Sequence, residues 1–288
     1  MMPRAVTCVF LLAAAANLRA ADPPIPNSPT NDAREIVRRA AEHNQQNSNN
    51  GRNYTYLQRQ DTRELDHSGQ VKSRKVETWQ ITYLDGSPYR RLVARNDQPL
   101  SADEQKAEEE KLRWNAEQRR METSDERAHR VAEWQRRADR QRDPIKEVPD
   151  AFDFTLLGEE QVAGRAVYRI EANPKPGFKP KSQFAAIFPK VKLHLWVDKA
   201  DCQGARIEME VLDSISFGGF VVRLTKGTRL LIEQTRVADD LWMPKRFSLN
   251  AAARILLIKG FNREMDFTFS DYKKSTPGSE VVALAAKP

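Results

Sequence analysis

The residue types that most often carry catalysis are few and scattered in this sequence. None of the four histidines has a second histidine four residues further on, the spacing that places two metal ligands on one helix face. They lie in unrelated segments, at His43, His67, His129 and His194. Cys202 has no second cysteine at CxxC spacing for metal binding or redox work.

The short motifs of the common enzyme classes are also missing. The stretch "SFGGF" lacks the GxSxG order of a nucleophile elbow. "GEEQVAG" lacks the lysine and the hydroxyl residue of a phosphate-binding loop, and no dinucleotide-binding fingerprint is found. A hydrolase would need a nucleophile beside a base, and the sequence offers no such pair. We therefore expect a protein without catalysis that carries neither a metal nor another cofactor.

Charge and composition narrow the class of partner. The 288 residues are 40% hydrophobic and 30% charged, with a formal net charge of +7. A positive balance favours peripheral contact with anionic surfaces such as lipid head groups, although it also serves solubility alone. No platform of aromatic and basic residues of the RNA-binding kind is present, so we do not expect a nucleic acid partner.

The first residues have the pattern of a secretory signal peptide. Arg4 precedes a short apolar run, and small residues follow up to Ala20. We expect a signal peptide at 1–20, a Pro- and Asn-rich linker at 21–31 and one domain at 32–288, in the periplasm. Cleavage would leave Cys202 as the single cysteine, so a hydrophobic core rather than a disulfide must stabilise the domain.

Helical patterns occur in two places. Residues 31–51 predict an N-terminal helix that Asp32 caps, with Glu35 completing a capping box. Residues 101–143 contain no Gly or Pro and alternate acidic with basic residues at helical spacing. Capping boxes at Ser101 and Thr123 predict two helices, or one long helix with a weak joint. This charged insertion is either a simple protrusion or a functional lid or partner arm.

The rest of the chain has the period-two pattern of strands. Met265, Phe267 and Phe269 alternate with polar residues, which is typical of a sheet with one buried face. Short turns separate the strands, and no helical crossovers intervene, so neighbouring strands should pair antiparallel. The prediction is an α+β fold: a large curved antiparallel sheet, an open half-barrel, with the N-terminal helix and the charged helical insertion.

Two runs carry a resemblance to a known family. "LHLWVDKADCQGARIEMEVLD" and "DDLWMPKRFSLNAAARILLIKGFNREMDFTFSDYKK" resemble the pattern of LolA/LolB-like periplasmic lipoprotein-carrier proteins. The resemblance implies a half-closed barrel whose concave apolar face is covered by helices and binds an acyl chain or a lipoprotein. The insertion at 101–143 is longer than such a carrier needs. An alternative is an envelope interaction protein with a filled sheet, whose 101–143 helices dock on a protein partner.

Strand parity selects the candidate ligand-binding residues. They are large apolar or aromatic residues that share one face of a predicted strand: Trp79, Ile81, Tyr83, Met209, Val211, Phe267 and Phe269. Leu241 and Trp242, in "LWMPKRF", join them as residues at the lip of the sheet. A hairpin corner with a core tryptophan is the alternative interpretation of that stretch.

Overall fold

The computed structural model describes residues 32–51, 54–66, 68–217, 222–239, 241–255 and 259–274. The predicted signal peptide and linker lie outside these residues. No helix within these ranges has the length and apolar character needed to cross a membrane. The described residues from Asp32 onward belong to one compact unit.

Within the described ranges, this unit contains three α-helices and thirteen strands. The helices are α1 (Ala33–Asn50), α2 (Ala102–Met121) and α3 (Ser124–Ala151). The strands are β1 (Tyr54–Leu65), β2 (Val71–Leu84), β3 (Ser87–Arg95), β4 (Gln98–Pro99), β5 (Phe152–Val162), β6 (Arg165–Pro174), β7 (Val191–Asp198), β8 (Gly204–Val211), β9 (Ile215–Phe217), β10 (Val222–Leu224), β11 (Arg229–Ala238), β12 (Leu241–Ile255) and β13 (Lys259–Lys274). A 3₁₀ turn, Ala185–Lys190, precedes β7.

The strands form a single antiparallel sheet that does not close on itself. Their order is β4-β3-β2-β1-β13-β12-β11-β8-β7-β6-β5, and the short β9 and β10 pair beside β12. Most strands that follow each other in the chain are hydrogen-bonded neighbours joined by a tight turn. The first strand, β1, also pairs with the last strand, β13. The predicted α+β fold with a large curved antiparallel sheet is confirmed.

The N-terminal helix lies on one face of β5 to β8. Asp32 caps it by accepting a hydrogen bond from the backbone N–H of Arg34, and Gly51 follows its last turn. Ile36 and Val37 are buried against the inward side chains of these strands, among them Ile170 and Val191. This cluster is the main core, and we call the face of the sheet that carries it the inner face.

The insertion folds as two helices, one of the two predicted arrangements. Capping boxes at Ser101 and Glu104 and at Thr123 and Glu126 start α2 and α3, as the sequence predicts. However, α3 continues beyond the predicted end at residue 143, through Pro144 and Pro149. Both prolines are buried, because the last turns of α3 pack against α1 and the main core.

Residues of the types that favour a turn form a strand irregularity near the end of β13. The stretch "SDY", Ser270–Tyr272, lies within β13. Asp271 has a φ of 55° there, and the register against β1 shifts between Thr55 and Leu57. The residues that favour a turn therefore form a β-bulge, in which one extra residue bends the strand locally.

Candidate ligand-binding face

Register across the sheet shows which side chains share the inner face. Ile207 in the main core pairs with Ile232, which pairs with Phe247, which in turn pairs with Phe267. Beyond β13, Gln58 on β1 pairs with Phe269 on one side and with Trp79 on the other. Because directly paired residues project to the same face, the inner face continues from the main core to β2.

Six half-buried aromatic residues occupy the part of the inner face outside the main core. We call this set the aromatic row: Tyr56, Trp79, Tyr83, Phe247, Phe267 and Phe269. The rings of Phe247 and Phe267 stack with centroids 5.6 Å apart, and those of Tyr56 and Phe269 are 6.1 Å apart. Aromatic pairs at such distances stabilise one another beyond their burial alone.

Amide and aliphatic side chains complete this surface. Gln58 and Gln60 lie on β1, opposite Phe269 and Phe267, and bring hydrogen-bonding groups into an otherwise apolar area. Leu230 and Leu249 pair across β11 and β12 and are half-buried, so they extend the apolar surface toward the main core. The result is a broad, partly exposed apolar surface with a few polar groups, which is the usual composition of a site for a hydrophobic ligand.

Helix α3 contacts the sheet in two separate regions. Near its start, the ring of Trp134 meets that of Tyr83 on β2 edge-on, at a centroid distance of 5.7 Å. Near its end, Val148 packs against the main core, and the helix leads directly into β5. Trp134 and Val148 are 14 residues apart, about 21 Å along the axis of the one continuous helix.

Two arginines attach the helical pair to the hairpin of β2 and β3. Arg130 of α3 binds Glu122 through two nitrogens at 2.6 Å, and it donates a hydrogen bond to Ser87 Oγ at 2.6 Å. Arg119 of α2 donates to the carbonyl oxygens of Leu84 and Ser87 at 2.7 and 3.0 Å. Burial lowers the pKa of the Arg119 guanidinium from its ordinary value. These bonds fix the start of α3 at one end of the aromatic row.

The outer face of the same strands is polar and rich in ion pairs. Asp61 is buried, and its carboxylate lies 2.6 Å from Arg74 and 3.3 Å from Arg63. Arg246 on β12 binds Asp266 on β13, with Nε 3.0 Å from one carboxylate oxygen. Phe247 and Phe267 alternate with these charged residues, so the two faces of β12 and β13 differ sharply in polarity.

The nine predicted site residues fall into three places. Five lie on the inner face at or beside the aromatic row: Trp79, Ile81, Tyr83, Phe267 and Phe269. Met209 and Val211 share the inner face, but Val211 is fully buried in the main core and Met209 packs against it. Leu241 and Trp242 lie at the start of β12 and are 2% and 4% exposed.

The corner that holds Trp242 corresponds to the alternative interpretation of "LWMPKRF". The indole packs with Val167, Trp196 and Ala205, and its Nε1 donates to Asp201 Oδ2 at 2.9 Å. The guanidinium of Arg165 lies 5.4 Å from its ring centre. Trp242 is thus a core residue that connects β12 to the turn between β7 and β8.

Comparisons with known proteins give similarity only at the level of structure. No protein-family model matches the chain, and no curated protein matches it. A DUF1329 family protein from Desulfovibrio piger is similar over 85% of this chain and 94% of its own, with 11% identity and a TM-score of 0.32.

Two further solved structures are similar to the chain to about the same extent. A putative outer membrane lipoprotein-sorting protein domain from Vibrio parahaemolyticus covers 86% of this chain and 99% of its own, with 9% identity and a TM-score of 0.33. A LolA superfamily protein from Nitrosomonas europaea covers 86% and 96%, with 10% identity and a TM-score of 0.32. The Nitrosomonas europaea protein is from the family that the sequence resembles.

Four residues in or beside the aromatic row were not among the predicted site residues, and one of them is Phe247, which stacks on Phe267. Tyr56 lies between Phe269 and Ile81, and burial raises its pKa to about 12. Trp134 reaches the row from α3, and Arg90 lies over Trp79 with its guanidinium carbon 4.7 Å from the ring centre. The parity of "YTYLQRQ" offered a signal for Tyr56, whereas Arg90 and Trp134 depend on tertiary contacts.

The chemistry of the face is suited to binding. Within the described ranges, no group of three or more His, Cys, Asp or Glu residues is arranged to hold a metal ion. The inner face instead combines aromatic rings, aliphatic side chains and amides. The aromatic and aliphatic side chains can bind an apolar ligand by excluding water from the contact.

Proposed function

We propose that this protein is exported to the periplasm and binds an acyl chain, free or attached to a lipoprotein, on its inner face beneath α3. Binding requires no catalytic group. The observation that carries the proposal is the aromatic row, a half-buried apolar surface that α3 contacts at one end. Export rests on the signal-peptide pattern of residues 1–20.

An apolar face that stays exposed to water costs free energy. Aromatic side chains that stay partly exposed on one face of a sheet gain free energy when an apolar ligand covers them. Each methylene of an acyl chain buried there contributes about 0.8 kcal/mol. The outer face, with Asp61 and its arginine partners, offers no such gain because its groups are charged and paired.

The position of α3 suits it to cover a bound acyl chain. Its start is held by Trp134 and Arg130, and its end belongs to the main core. The two ends therefore fix the helix across the face while the aromatic row beneath it stays half-buried. We propose that the acyl chain lies between α3 and the row.

Titration of the delipidated protein with a fluorescent fatty acid tests this function. We expect saturable binding at micromolar concentration. Phe267→Ala removes an aromatic ring from the row and should weaken binding about tenfold, which corresponds to about 1.4 kcal/mol. Thr268→Ala, on the same strand but on the outer face, is the matched control and should leave the affinity unchanged.

Circular dichroism of each variant verifies that the fold is intact. Absence of saturable binding by the unmodified protein would refute the proposed function. Equal weakening by Phe267→Ala and Thr268→Ala would place the ligand elsewhere than on the inner face.

A second candidate function, docking of the helices on an envelope protein, is favoured by a specific observation on α2. Trp114 and Met121 are 61% and 66% exposed. They are seven residues apart, about two helical turns, and so lie on the same side of the helix. Leu112 and Ala116, which α2 buries against the sheet, lie on the other side. Paired exposed apolar residues on a charged helix are typical of a protein contact.

Crosslinking of the tagged protein in cells distinguishes the two functions. If α2 binds a protein partner, replacing Trp114 and Met121 by serine should abolish a specific crosslinked complex and leave fatty-acid binding unchanged. Replacing Arg113 and Arg120 by glutamine is the control for a purely charge-driven contact. A complex that survives the serine variant would rule out this surface.

A further inference from the structure

The arginine at the edge of the aromatic row differs from most arginines of this protein. Arg90 lies on β3, directly paired with Ile81 on β2, and its side chain is exposed. In the part of the chain that the structure describes, no carboxylate lies within 4.0 Å of it, whereas Arg59, Arg63 and Arg74 all contact Asp61. Its contact is the ring of Trp79, with the guanidinium carbon 4.7 Å from the ring centre.

Stacking on a ring leaves the edge of the guanidinium available. A guanidinium that lies over an aromatic face is attracted by the ring's quadrupole, while its N–H groups point outward in the plane of the guanidinium itself. Arg90 therefore offers a planar fork of donors at the rim of the inner face. Such a fork matches the geometry of a carboxylate or a phosphate.

Trp79 contributes a second donor. Its indole Nε1 is buried, and among the described residues it has no hydrogen-bond partner. Buried donors in folded proteins are nearly always paired, so an unpaired one requires an explanation. An oxygen atom of a ligand that enters beside Arg90 would satisfy it.

Tyr56 places a third polar group in the same line. Tyr56, Ile81 and Arg90 are paired side by side across β1, β2 and β3. Burial raises the pKa of Tyr56 to about 12. The hydroxyl of Tyr56 thus stays protonated at neutral pH and remains a hydrogen-bond donor.

We infer that Arg90 and Trp79 form a subsite for the anionic head of an amphiphile, a carboxylate or a phosphate ester, whose chain lies along the aromatic row. The inference rests on the proposed function, because it needs the chain to occupy the inner face. The head binds at the exposed rim, where Arg90 supplies charge and a donor fork and Trp79 supplies its N–H group. The ligand class is therefore the anionic amphiphile, as opposed to a neutral ester or alcohol of the same chain length.

Paired ligands that differ only in charge test the subsite. The probes are cis-parinaric acid and its methyl ester, each titrated into the full-length protein by fluorescence. The unmodified protein should bind the acid about tenfold more tightly than the ester, the usual scale of one charge-assisted hydrogen bond. Arg90→Gln should lose this preference while binding the ester as before.

Two further variants sharpen the result. Arg91→Gln is the matched control, since Arg91 is the next residue on β3 and donates to Gln80 Oε1 at 2.5 Å. It should keep the full preference for the acid. Trp79→Phe keeps a ring beneath Arg90 but removes the N–H donor, and should reduce the preference for the acid by a few-fold.

Competition experiments separate the source of the anion. Palmitate and hexadecyl phosphate should both displace cis-parinaric acid from the unmodified protein, whereas inorganic phosphate alone should not. Displacement by inorganic phosphate would identify a site for free anions and overturn the inference. Equal affinity of the unmodified protein for acid and ester, or an unchanged preference in Arg90→Gln, would also overturn it, although the apolar site would stand. No binding of either probe would refute the proposed function itself.

Discussion

The ring of Trp134 on α3 meets the ring of Tyr83 on β2 edge-on, with centroids 5.7 Å apart and planes at 81°. The two residues are 51 positions apart in the sequence. Their contact places the helical insertion over the inner face at one end of the aromatic row. The polar bonds of Arg130 to Glu122 and Ser87 lie one turn earlier on the same helix.

Removal of this contact should loosen the helix from the sheet. Trp134→Ala deletes the ring that packs on Tyr83, and we expect the free energy of unfolding to fall by about 1–3 kcal/mol. Trp114→Ala is the control, because Trp114 is 61% exposed on α2. It should change stability by no more than about 0.5 kcal/mol. Urea denaturation followed by circular dichroism measures both, and equal losses would show that the Tyr83 contact contributes nothing.

The buried side-chain amide of Asn47 attaches the C-terminal end of α1 to β12. Asn47 of α1 donates from Nδ2 to the carbonyl oxygen of Trp242 at 2.6 Å and accepts from its backbone N–H at 2.7 Å. Asn47→Ala would leave both backbone groups of Trp242 buried and unpaired, at a cost of about 1–3 kcal/mol. Asn115→Ala is the control and should cost far less, because Asn115 is only half-buried and donates to the carbonyl oxygen of Lys111 in its own helix. Thermal denaturation of the two variants compares them, and a similar melting temperature would contradict the prediction.

Much of the fold could be predicted because it depends on local patterns. The bounds of β5 and β6 coincide with the period-two runs "FDFTLLGEEQV" and "RAVYRIEANP", and two capping boxes mark the starts of α2 and α3. Strand parity also assigns Phe267 and Phe269 to one face and Asp266 to the other, as the register shows. Period and capping act over a few residues, so a single sequence contains them.

The remainder depends on contacts between distant segments. Arg90 and Arg91 are neighbours in "YRRLVARN", yet one lies over Trp79 and the other binds Gln80. Which arginine faces inward is set by the register between β2 and β3, and this register includes an irregularity between Thr78 and Trp79. The same holds for Trp242, whose burial is set in part by Asn47, 195 residues away.

The end of α3 could not be predicted from local sequence signals. Prolines at 144 and 149 predict that the helix stops, because proline inside a helix removes a hydrogen bond and costs about 3 kcal/mol. The helix nevertheless continues to Ala151. Val148 packs against the main core, and Glu147 accepts hydrogen bonds from the backbone of Lys181 and Ser182 at 2.8 and 2.9 Å. These tertiary contacts offset the local cost.

A buried ion pair at the turn after β7 should be costly to break. The side chain of Asp198 is 1% exposed, and Arg165 binds it through Nε at 2.6 Å and a second nitrogen at 2.8 Å. Arg165→Met would leave a buried carboxylate without its cation, and we expect a loss of about 3 kcal/mol or more. Arg137→Met is the control, since Arg137 is 70% exposed and pairs with Glu133 along the helix surface. The free energy of unfolding of Arg137→Met should fall by no more than about 0.5 kcal/mol, as is usual for exposed pairs along a helix.

Stability should also fall in acid because buried carboxylates are held in their charged form. The hydrogen bond from Arg74 lowers the pKa of Asp61, against the opposing effect of burial. For Asp198, burial acts to raise the pKa, but the hydrogen bonds from Arg165 and from backbone N–H groups outweigh it, and its pKa is also lowered.

A carboxyl group whose pKa is lower in the folded state stabilises the fold fully above its unfolded pKa, near 3.9 for Asp, and progressively less as the pH falls below it. We therefore expect the free energy of unfolding to change little for these groups between pH 7 and about pH 5, and to fall steeply below about pH 4. In Asp61→Asn this position carries no charge that acid can remove. Between pH 7 and pH 3, the free energy of unfolding of this variant should therefore fall by less than that of the unmodified protein. Urea denaturation at pH 7, 5, 4 and 3 measures how the free energy of unfolding changes with pH in the unmodified protein and in Asp61→Asn. The same pH dependence in both would mean that Asp61 titrates alike in the folded and unfolded chains, and that its contacts with Arg63 and Arg74 do not stabilise its charge.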